Sequence, residues 1–395
     1  MSHQLINRSA DLKRLRDEGY HVEVRDGFLF IHDVPYVNAS RKIARGTLAS
    51  KLTLAGDRTA KPDDHIAYFI GDHPCNADGT EISKIKHASG PTALVDGLIA
   101  HHSFSAKPTT GSYNDYHHKM ETYAAILSSQ AQKLDPTVKA TSDTVLANDS
   151  SDGPFRYVDT ASSRAEIVDI SMKLALPKIG IVGLGGTGSY VLDLVAKTPV
   201  SEIHLFDGDH LLQHNAFRSP GAASLEELER KPFKSDYFLQ IYCRMHKGIR
   251  SHPVYIEENN LDLLDDLNFA FLCLDSGKAK SFIISRLEAR NIPFIDVGMG
   301  LFQVDDRLGG IVRLTTSTPS MREHVHTKKR IPMHASQIQN IYERNIQIAD
   351  LNALNAALAV IKWKKLQGFY LDLECEHFTT YTVDGNVLMN EDVSK

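Results

Sequence analysis

A glycine-rich turn between a buried strand and a helix constrains this chain more than any other feature of its sequence. Residues 179–182 read Ile-Gly-Ile-Val, a β-branched run typical of a buried parallel strand. Gly183, Gly185 and Gly188 follow with the spacing Gly-x-Gly-x-x-Gly, just before the predicted helix 190–196. Glycine lets the backbone turn tightly and approach a phosphate, and a helix N-terminus offers free N–H groups. The stretch therefore predicts a nucleotide site.

An acid and a polar tail follow the next predicted strand, residues 203–206. Asp207 stands at the C-terminal end of that strand, where a carboxylate can accept hydrogen bonds from a ribose. The tail then contains Asn215 and Arg218, an amide and a cation. Attack on the α-phosphate of ATP needs such groups, whereas hydride transfer does not. An ATP-using enzyme is favoured, and the alternatives are an NAD-dependent dehydrogenase or a scaffold that binds nucleotide without turnover.

These motifs resemble the ThiF/MoeB/ubiquitin-activating-enzyme superfamily of adenylyltransferases. The family pattern is Gly-x-Gly-Gly-x-Gly-Ser, Asp-x-Asp and Asn-x-x-Arg, then a lysine in the next helix and an aspartate after a later strand. Lys231 competes with Lys234 for the lysine position. The resemblance covers residues 160–300 firmly and 340–390 loosely. The matching residues are Gly183, Gly185, Gly186, Gly188, Asp207, Asp209, Asn215, Arg218, Lys234 and Asp275.

The resemblance implies a fold and a domain order. It implies an α/β, Rossmann-like, ThiF-type adenylation domain with a mainly parallel sheet, preceded by a smaller α+β domain, as in bacterial ThiF-family proteins with an extra N-terminal domain. We place the N-terminal domain at 1–140, with a role in carrier or partner binding as one option. A Thr-, Ser- and Asp-rich linker follows at 141–160, and the adenylation domain spans 161–395.

The resemblance also implies an activity and roles for individual residues. ATP-dependent adenylation would activate the C-terminal carboxylate of a ubiquitin-like β-grasp protein for conjugation in a bacterial ubiquitin-like modification system. Sulfur-carrier or peptide adenylation are alternatives. ATP and Mg²⁺ are the implied cofactors. The glycines, Asp207, Asp209 and Asn215 would bind the nucleotide, Arg218 and Lys234 would neutralise phosphate oxygens, and Asp275 would hold Mg²⁺.

One further residue is carried over from the family. Arg164 lies in a predicted helix before the first strand of the adenylation domain. It resembles the catalytic arginine that relatives direct at the γ-phosphate, often from a partner subunit. A surface ion pair is the alternative interpretation of Arg164.

A short segment of the N-terminal part offers candidate acyl acceptors. Residues 73–83, His-Pro-Cys-Asn-Ala-Asp-Gly-Thr-Glu-Ile-Ser, faintly resemble the signature of ubiquitin-conjugating enzymes, with Ser83 where the nucleophile would stand. Cys75 and Ser83 are therefore candidates, and a plain turn is the alternative because Pro, Asn, Asp and Gly are turn residues. Since Cys243, Cys273 and Cys375 are not expected to be nucleophiles, we expect the activated carrier to leave for a partner protein.

Composition limits the partners. The net charge of −5 gives no reason to expect a nucleic-acid surface, and no stretch is apolar enough for a membrane span or signal peptide. The four cysteines are widely separated, which favours a reducing, cytoplasmic protein without zinc. Partners are expected to be the ubiquitin-like substrate, a conjugating protein and a second copy in a homodimer. The predicted crossover loop 317–338 carries no cysteine, and the helix 346–366 is predicted to pack in the core, with an additional dimer face.

Overall fold

The computed structural model describes residues 2–95, 97–142, 145, 153–333 and 346–394, with side chains from residue 5 onwards. It divides into an N-terminal unit, Met1–Ala147 with Tyr157–Glu166, and a C-terminal unit, Asn148–Arg156 with Ile167–Lys395. Residues 157–160, which were predicted as linker, thus belong to the N-terminal unit together with Arg164. Most of residues 143–152 and the end of the predicted crossover loop, 334–338, lie outside the described residues.

The N-terminal unit is built on a six-stranded antiparallel sheet in the order β1-β2-β3-β6-β8-β7. A two-stranded ribbon, β4–β5, lies outside this sheet. The strands are β1 His21–Arg25, β2 Phe28–Val37, β3 Ile43–Lys51, β4 Leu54–Ala55, β5 Arg58–Thr59, β6 Ile66–Ile70, β7 Lys86–Val95 and β8 Leu98–Ser105.

Helices complete the N-terminal unit. The longest, α3, packs on β2 and β3 through Tyr116, Met120, Tyr123 and Leu127, all of them buried. Their three- and four-residue spacing places them on one helix face, which explains why this stretch is helical and amphipathic. The helices are α1 Ser2–Arg8, α2 Ala10–Asp17, α3 Tyr116–Leu134 and α4 Thr160–Arg164.

The C-terminal unit contains an eight-stranded sheet in the order β11-β10-β9-β12-β13-β14-β15-β16. The first five strands of that order are parallel and the last three pairings are antiparallel. The strands are β9 Lys178–Val182, β10 Glu202–Phe206, β11 Ile249–His252, β12 Phe269–Leu272, β13 Phe294–Val304, β14 Arg307–Ser317, β15 Glu376–Thr382 and β16 Val387–Val393.

The helices of this unit pack mainly against its parallel strands. Ala356, Ala359, Val360 and Trp363 of the last helix are buried in the same hydrophobic cluster as β9 and β12, as the core interpretation of 346–366 predicted. A dimer face on that helix stays a prediction. The helices are α5 Val168–Ser171, α6 Gly186–Val195, α7 Gln213–Ala216, α8 Leu225–Arg230, α9 Lys234–Tyr242, α10 Gly277–Ala289, α11 Glu323–Thr327 and α12 Ala349–Leu366.

The strand order creates a switch point in the parallel part of the sheet. From β9 the chain moves outward to β10 and β11, then crosses back to β12 and β13 on the other side of β9. At such a switch point the connections leave in opposite directions, and ligands bind outside the carboxyl ends of the strands. The predicted architecture, a mainly parallel α/β domain after a smaller α+β domain, is confirmed. Among the described residues, no helix has both the length and the apolar character to cross a membrane.

Candidate functional site

A cavity of about 730 Å³ lies at the carboxyl ends of the parallel strands in the C-terminal unit. Its size is within the range usual for small-molecule sites. The segments that follow β9, β10, β11 and β12 contribute to its wall, together with residues 297–299 of β13 and two asparagines of α12. The cavity therefore occupies the switch point. The predicted residues that line it are Gly183, Gly185, Gly186, Asp207, Asp209, Arg218, Lys234 and Asp275.

The glycines after β9 differ in what they do. Gly183 has φ +91°, and a Cβ there would stand 2.6 Å from the Cys273 carbonyl oxygen. A Cβ on Gly188 would collide with the Gly183 carbonyl, and one on Gly186 would collide with the Asn352 amide. These three are needed for packing within the protein. A Cβ on Gly185 would meet nothing within 4 Å, so this position borders the open cavity and fits the close approach of a phosphate.

Asp207, at the end of β10, holds the backbone around the glycine turn. Its Oδ2 accepts a hydrogen bond from the Leu184 N–H at 2.6 Å, and its Oδ1 accepts one from the Asp209 N–H at 2.8 Å. Burial raises the pKa of the Asp207 carboxyl, while the Lys234 ammonium opposes that rise. Each carboxylate oxygen has a second lone pair, which leaves it able to accept a further hydrogen bond from a ribose hydroxyl. A ribose contact to Asp207 stays a prediction.

Of the two candidate lysines, Lys234 is the one that lines the cavity. It begins α9, is 6% exposed, and its Nζ lies 2.7 Å from Asp209 Oδ2 and 4.0 Å from Asp207 Oδ1. The Tyr255 hydroxyl also donates to Asp209, which raises the pKa of Tyr255 to about 12. The alternative, Lys231, is the left-handed C-cap residue of α8 and is not among the described residues that line the cavity.

Asn215 and Arg218 carry buried donors that the described protein leaves unmet. Asn215 Oδ1 accepts from the Leu212 N–H at 2.9 Å, which closes the first turn of α7, but Asn215 Nδ2 has no hydrogen-bond partner among the described residues. The same holds for Arg218 Nε. An unmet buried donor costs roughly 1–3 kcal/mol, so such groups are expected where a ligand supplies the acceptor.

Asp275 follows β12, the strand that pairs with β9 on the side away from β10. It lines the cavity, is exposed, and accepts a hydrogen bond from Gln347 Nε2 at 3.3 Å. Within the described ranges, no group of three or more His, Cys, Asp or Glu side chains is placed to hold a metal ion. Mg²⁺ is commonly bound by one or two carboxylates together with substrate phosphates. Asp275 therefore fits a Mg²⁺ that arrives with ATP.

Arg164, Cys75 and Ser83 lie in the N-terminal unit. Arg164 Nη2 donates to the Asp17 carbonyl at 3.2 Å. Cys75 is 2% exposed, and its backbone bridges Val37 and Glu81. Burial raises the pKa of the Cys75 thiol, which lowers its thiolate fraction, whereas Ser83 is exposed. Their proposed roles in chemistry stay predictions.

The cavity also contains residues that sequence reasoning missed. Tyr255 bonds Asp209 from the segment after β11, and Asn352 and Asn355 enter the wall from α12. A signal existed for the asparagines, because both are polar residues three apart in a helix predicted to be buried. The half-buried Cys273 also borders the cavity, and burial raises the pKa of its thiol. That Cys273 is no nucleophile stays a prediction.

Comparison with known proteins assigns both parts of the sequence. Residues 166–361 match the ThiF family, and residues 10–160 match a domain of unknown function, DUF6791. No curated protein matches the chain.

Several solved structures share the fold weakly. A structure of E. coli MccB is 16% identical with a TM-score of 0.43, covering 57% of this chain and 64% of MccB. PaaA is 15% identical with a TM-score of 0.45, covering 57% of this chain and 76% of PaaA. E. coli MccB with ATP is 17% identical with a TM-score of 0.41, covering 57% and 66%. This chain thus spans less than two thirds of the first MccB structure, and the likeness concerns the fold alone.

Three observations concern the same C-terminal part of the molecule: the spacing of the motifs, the cavity at the switch point and the family match. Residues 166–361 of this chain are a ThiF family domain, an adenylyltransferase-like fold that follows a domain of unknown function.

Proposed function

We propose that this chain is an ATP-dependent adenylyltransferase that activates the C-terminal carboxylate of a ubiquitin-like β-grasp protein. The observation that carries the nucleotide part is the pair of unmet buried donors, Asn215 Nδ2 and Arg218 Nε, in the segment that brings Arg218 to the cavity bordered by Gly185. A phosphate supplies acceptors for such donors and needs the free space at Gly185. The β-grasp part rests on the resemblance of the sequence motifs.

The charge on the cavity wall supports a metal–nucleotide complex. Among the described residues, three cationic side chains and five carboxylates line the cavity. The cations are Arg218, Lys234 and Lys278, and Lys234 is already paired with Asp209. A bare polyphosphate would meet an excess of negative charge there, so ATP fits best together with a divalent cation. Mg²⁺ bound beside Asp275 would supply that charge neutralisation.

The proposed reaction requires little acid–base catalysis from the protein. A carboxylate oxygen of the substrate attacks the α-phosphorus of ATP and forms a mixed anhydride. The bond from the α-phosphorus to the bridging oxygen breaks, and pyrophosphate leaves with that electron pair. A carboxylate is ionised at neutral pH, so no general base is required. The residues of this chain would position the reactants and neutralise charge that develops on the phosphates.

Three charged residues of the cavity then have tasks in this reaction. Lys234 would exchange its contact with Asp209 for a phosphate oxygen, and Arg218 would contribute the second cation. Asp207 would keep the glycine turn in shape while it meets the ribose. We further propose that Arg164 reaches the γ-phosphate in a homodimer in the cytoplasm. The adenylated carrier would then pass to a conjugating partner protein.

Pyrophosphate exchange into ATP tests the reaction. The purified chain is incubated with Mg-ATP, labelled pyrophosphate and candidate β-grasp proteins, sulfur-carrier proteins or free peptides, each also supplied with an amidated C-terminus. We expect exchange with one free carboxylate substrate and none with its amidated form. Exchange with a free peptide or a sulfur carrier, and not with any ubiquitin-like protein, would replace the proposed substrate by that alternative.

Nucleotide binding separates the enzyme classes without a substrate. Calorimetry with Mg²⁺ and a non-hydrolysable ATP analogue should show binding, and NAD⁺ at the same concentration should not. Tight NAD⁺ binding without ATP-analogue binding would instead support the dehydrogenase alternative.

A further inference from the structure

One buried side chain of α12 connects two parts of the cavity wall that are distant in sequence. Asn352 is 1% exposed, and its Oδ1 accepts a hydrogen bond from the Thr187 hydroxyl at 2.9 Å. Its Nδ2 lies 3.5 Å from the Arg218 carbonyl oxygen. Thr187 belongs to the first turn of α6, at the glycine turn, and Arg218 follows α7. A single amide thus connects the glycine turn with the arginine segment.

The contacts fix the orientation of this amide. If the amide were reversed, its oxygen would face the Arg218 carbonyl oxygen, and two acceptors would oppose each other. The same Nδ2 also lies where a Cβ of Gly186 would stand, so the amide packs directly on the backbone of the glycine turn. The Asn352 side chain therefore contacts both the glycine turn and the Arg218 segment.

Helix packing alone does not explain an asparagine at this position. An apolar side chain of similar volume would fill the same space without burying an amide that must be hydrogen-bonded. Ala356, Ala359 and Val360 on the buried face of α12 are apolar. The buried asparagines Asn352 and Asn355 both line the cavity, and the buried Lys362 pairs with Asp372. The polar choice falls where the helix meets the cavity wall.

We propose that Asn352 is a positioning residue, which holds the Arg218 segment in register with the glycine turn for adenylation. This inference rests on the proposed function. Arg218 would neutralise charge that develops as pyrophosphate leaves, so its placement matters most in the transition state. The glycine turn is held independently by Asp207. Loss of Asn352 should therefore lower kcat and change the KM for ATP little.

The test compares Asn352→Leu, which keeps the number and branching of the side-chain heavy atoms, with Val360→Ala, a buried core change on the same helix. Pyrophosphate exchange is measured with the carrier that the wild type uses, and unfolding temperatures are measured in parallel. We expect Asn352→Leu to lower kcat about 10- to 100-fold with KM for ATP within about threefold. Val360→Ala should keep the wild-type kcat, although its unfolding temperature should fall at least as much as that of Asn352→Leu.

A double variant gives a second readout that simple destabilisation would not produce. Gly186→Ala should impair the wild-type background, because its Cβ meets the Asn352 amide. In an Asn352→Ala background the collision with the amide is absent, so adding Gly186→Ala should lower the pyrophosphate exchange rate much less. Wild-type kcat in Asn352→Leu, or equal penalties for Gly186→Ala in both backgrounds, would overturn the inference. A wild-type chain without exchange for any carboxylate would overturn the proposed function and the inference with it.

Discussion

Two loops of this molecule follow a buried strand, and the sequence suggested a chemical role for both. They differ in the open space that lies beside them. The loop after β9 borders a cavity, and the segment that brings Arg218 to that cavity holds unmet buried donors. The loop after β6, residues 73–83, turns back on itself. There the Cys75 N–H donates to the Val37 carbonyl at 2.7 Å, and the Asn76 N–H donates to Thr80 at 2.7 Å.

The difference follows from the two sheets. In the parallel part of the C-terminal sheet, the connection after β9 leads to β10 on one side and the connection after its neighbour β12 leads to β13 on the other. A crevice opens between them at the strand ends. In the antiparallel N-terminal sheet, the loop after β6 pairs with the end of β2 through Cys75 and fills the space locally. His73 Nε2 in this loop is also a buried atom without a hydrogen-bond partner among the described residues, so unmet polar atoms alone do not separate the two loops. The cavity beside the loop after β9 is what distinguishes it.

The largest effect is expected at Arg218. Arg218→Ala removes a cation and a buried donor beside the cavity, and should lower the pyrophosphate exchange rate about 10²- to 10³-fold, the usual size for one electrostatic group. The matched control is Arg250→Ala, which removes a half-exposed arginine that pairs with Glu202 in the same unit. An Arg218→Ala variant that exchanges as fast as Arg250→Ala would place the reaction elsewhere.

A smaller effect, on binding, is expected at Gly185. A Cβ there would meet nothing within 4 Å in the free protein. A valine would enter the space where phosphate would lie, so affinity for the ATP analogue should fall at least about tenfold, or about 1.4 kcal/mol. Gly300→Val is the control, because a Cβ on this β13 glycine also meets nothing within 4 Å and Gly300 is not among the described cavity-lining residues. Calorimetry on both variants measures the change. Equal affinities would show that the open space at Gly185 is not the phosphate site.

The smallest effect is expected in the other loop. Cys75→Ala should leave pyrophosphate exchange unchanged and lower the free energy of unfolding by about 1 kcal/mol, since it deletes a small buried side chain. Because burial raises the pKa of its thiol, native Cys75 should also react with iodoacetamide more slowly than in the unfolded chain up to pH 8.

Non-reducing gels supply the decisive control for that loop. Chain, Mg-ATP and carrier are incubated, and adducts are compared before and after thiol treatment. We expect no thiol-labile adduct on the chain, consistent with transfer to a partner. A thiol-labile adduct that disappears in Cys75→Ala would show that the two loops share the chemistry after all.

Much of the site could be predicted from contiguous residues. The glycine turn and Asp207 lie within 25 residues, and local properties dictate them: a β-branched strand, glycine where φ is positive, and an acid at the next strand end. The α/β fold and the domain order were what the resemblance to the family implied, and the local pattern of strand, glycine turn, helix and strand agreed with it. Arg218 was singled out as a cation in the polar tail after Asp207, whereas Lys234 came from the resemblance to the family pattern, with Lys231 as the alternative.

Only the tertiary structure distinguished residues that look alike in sequence. Gly185 and Gly186 are adjacent glycines, but one borders the cavity and the other lies under the Asn352 amide. Cys75, in a motif that suggested chemistry, is buried with its thiol pKa raised. Local sequence determines backbone conformation, but space, burial and unmet hydrogen bonds are sums over every element that packs nearby. Asn352 contacts the glycine turn from 165 residues away, so its place in the site could emerge only from the fold.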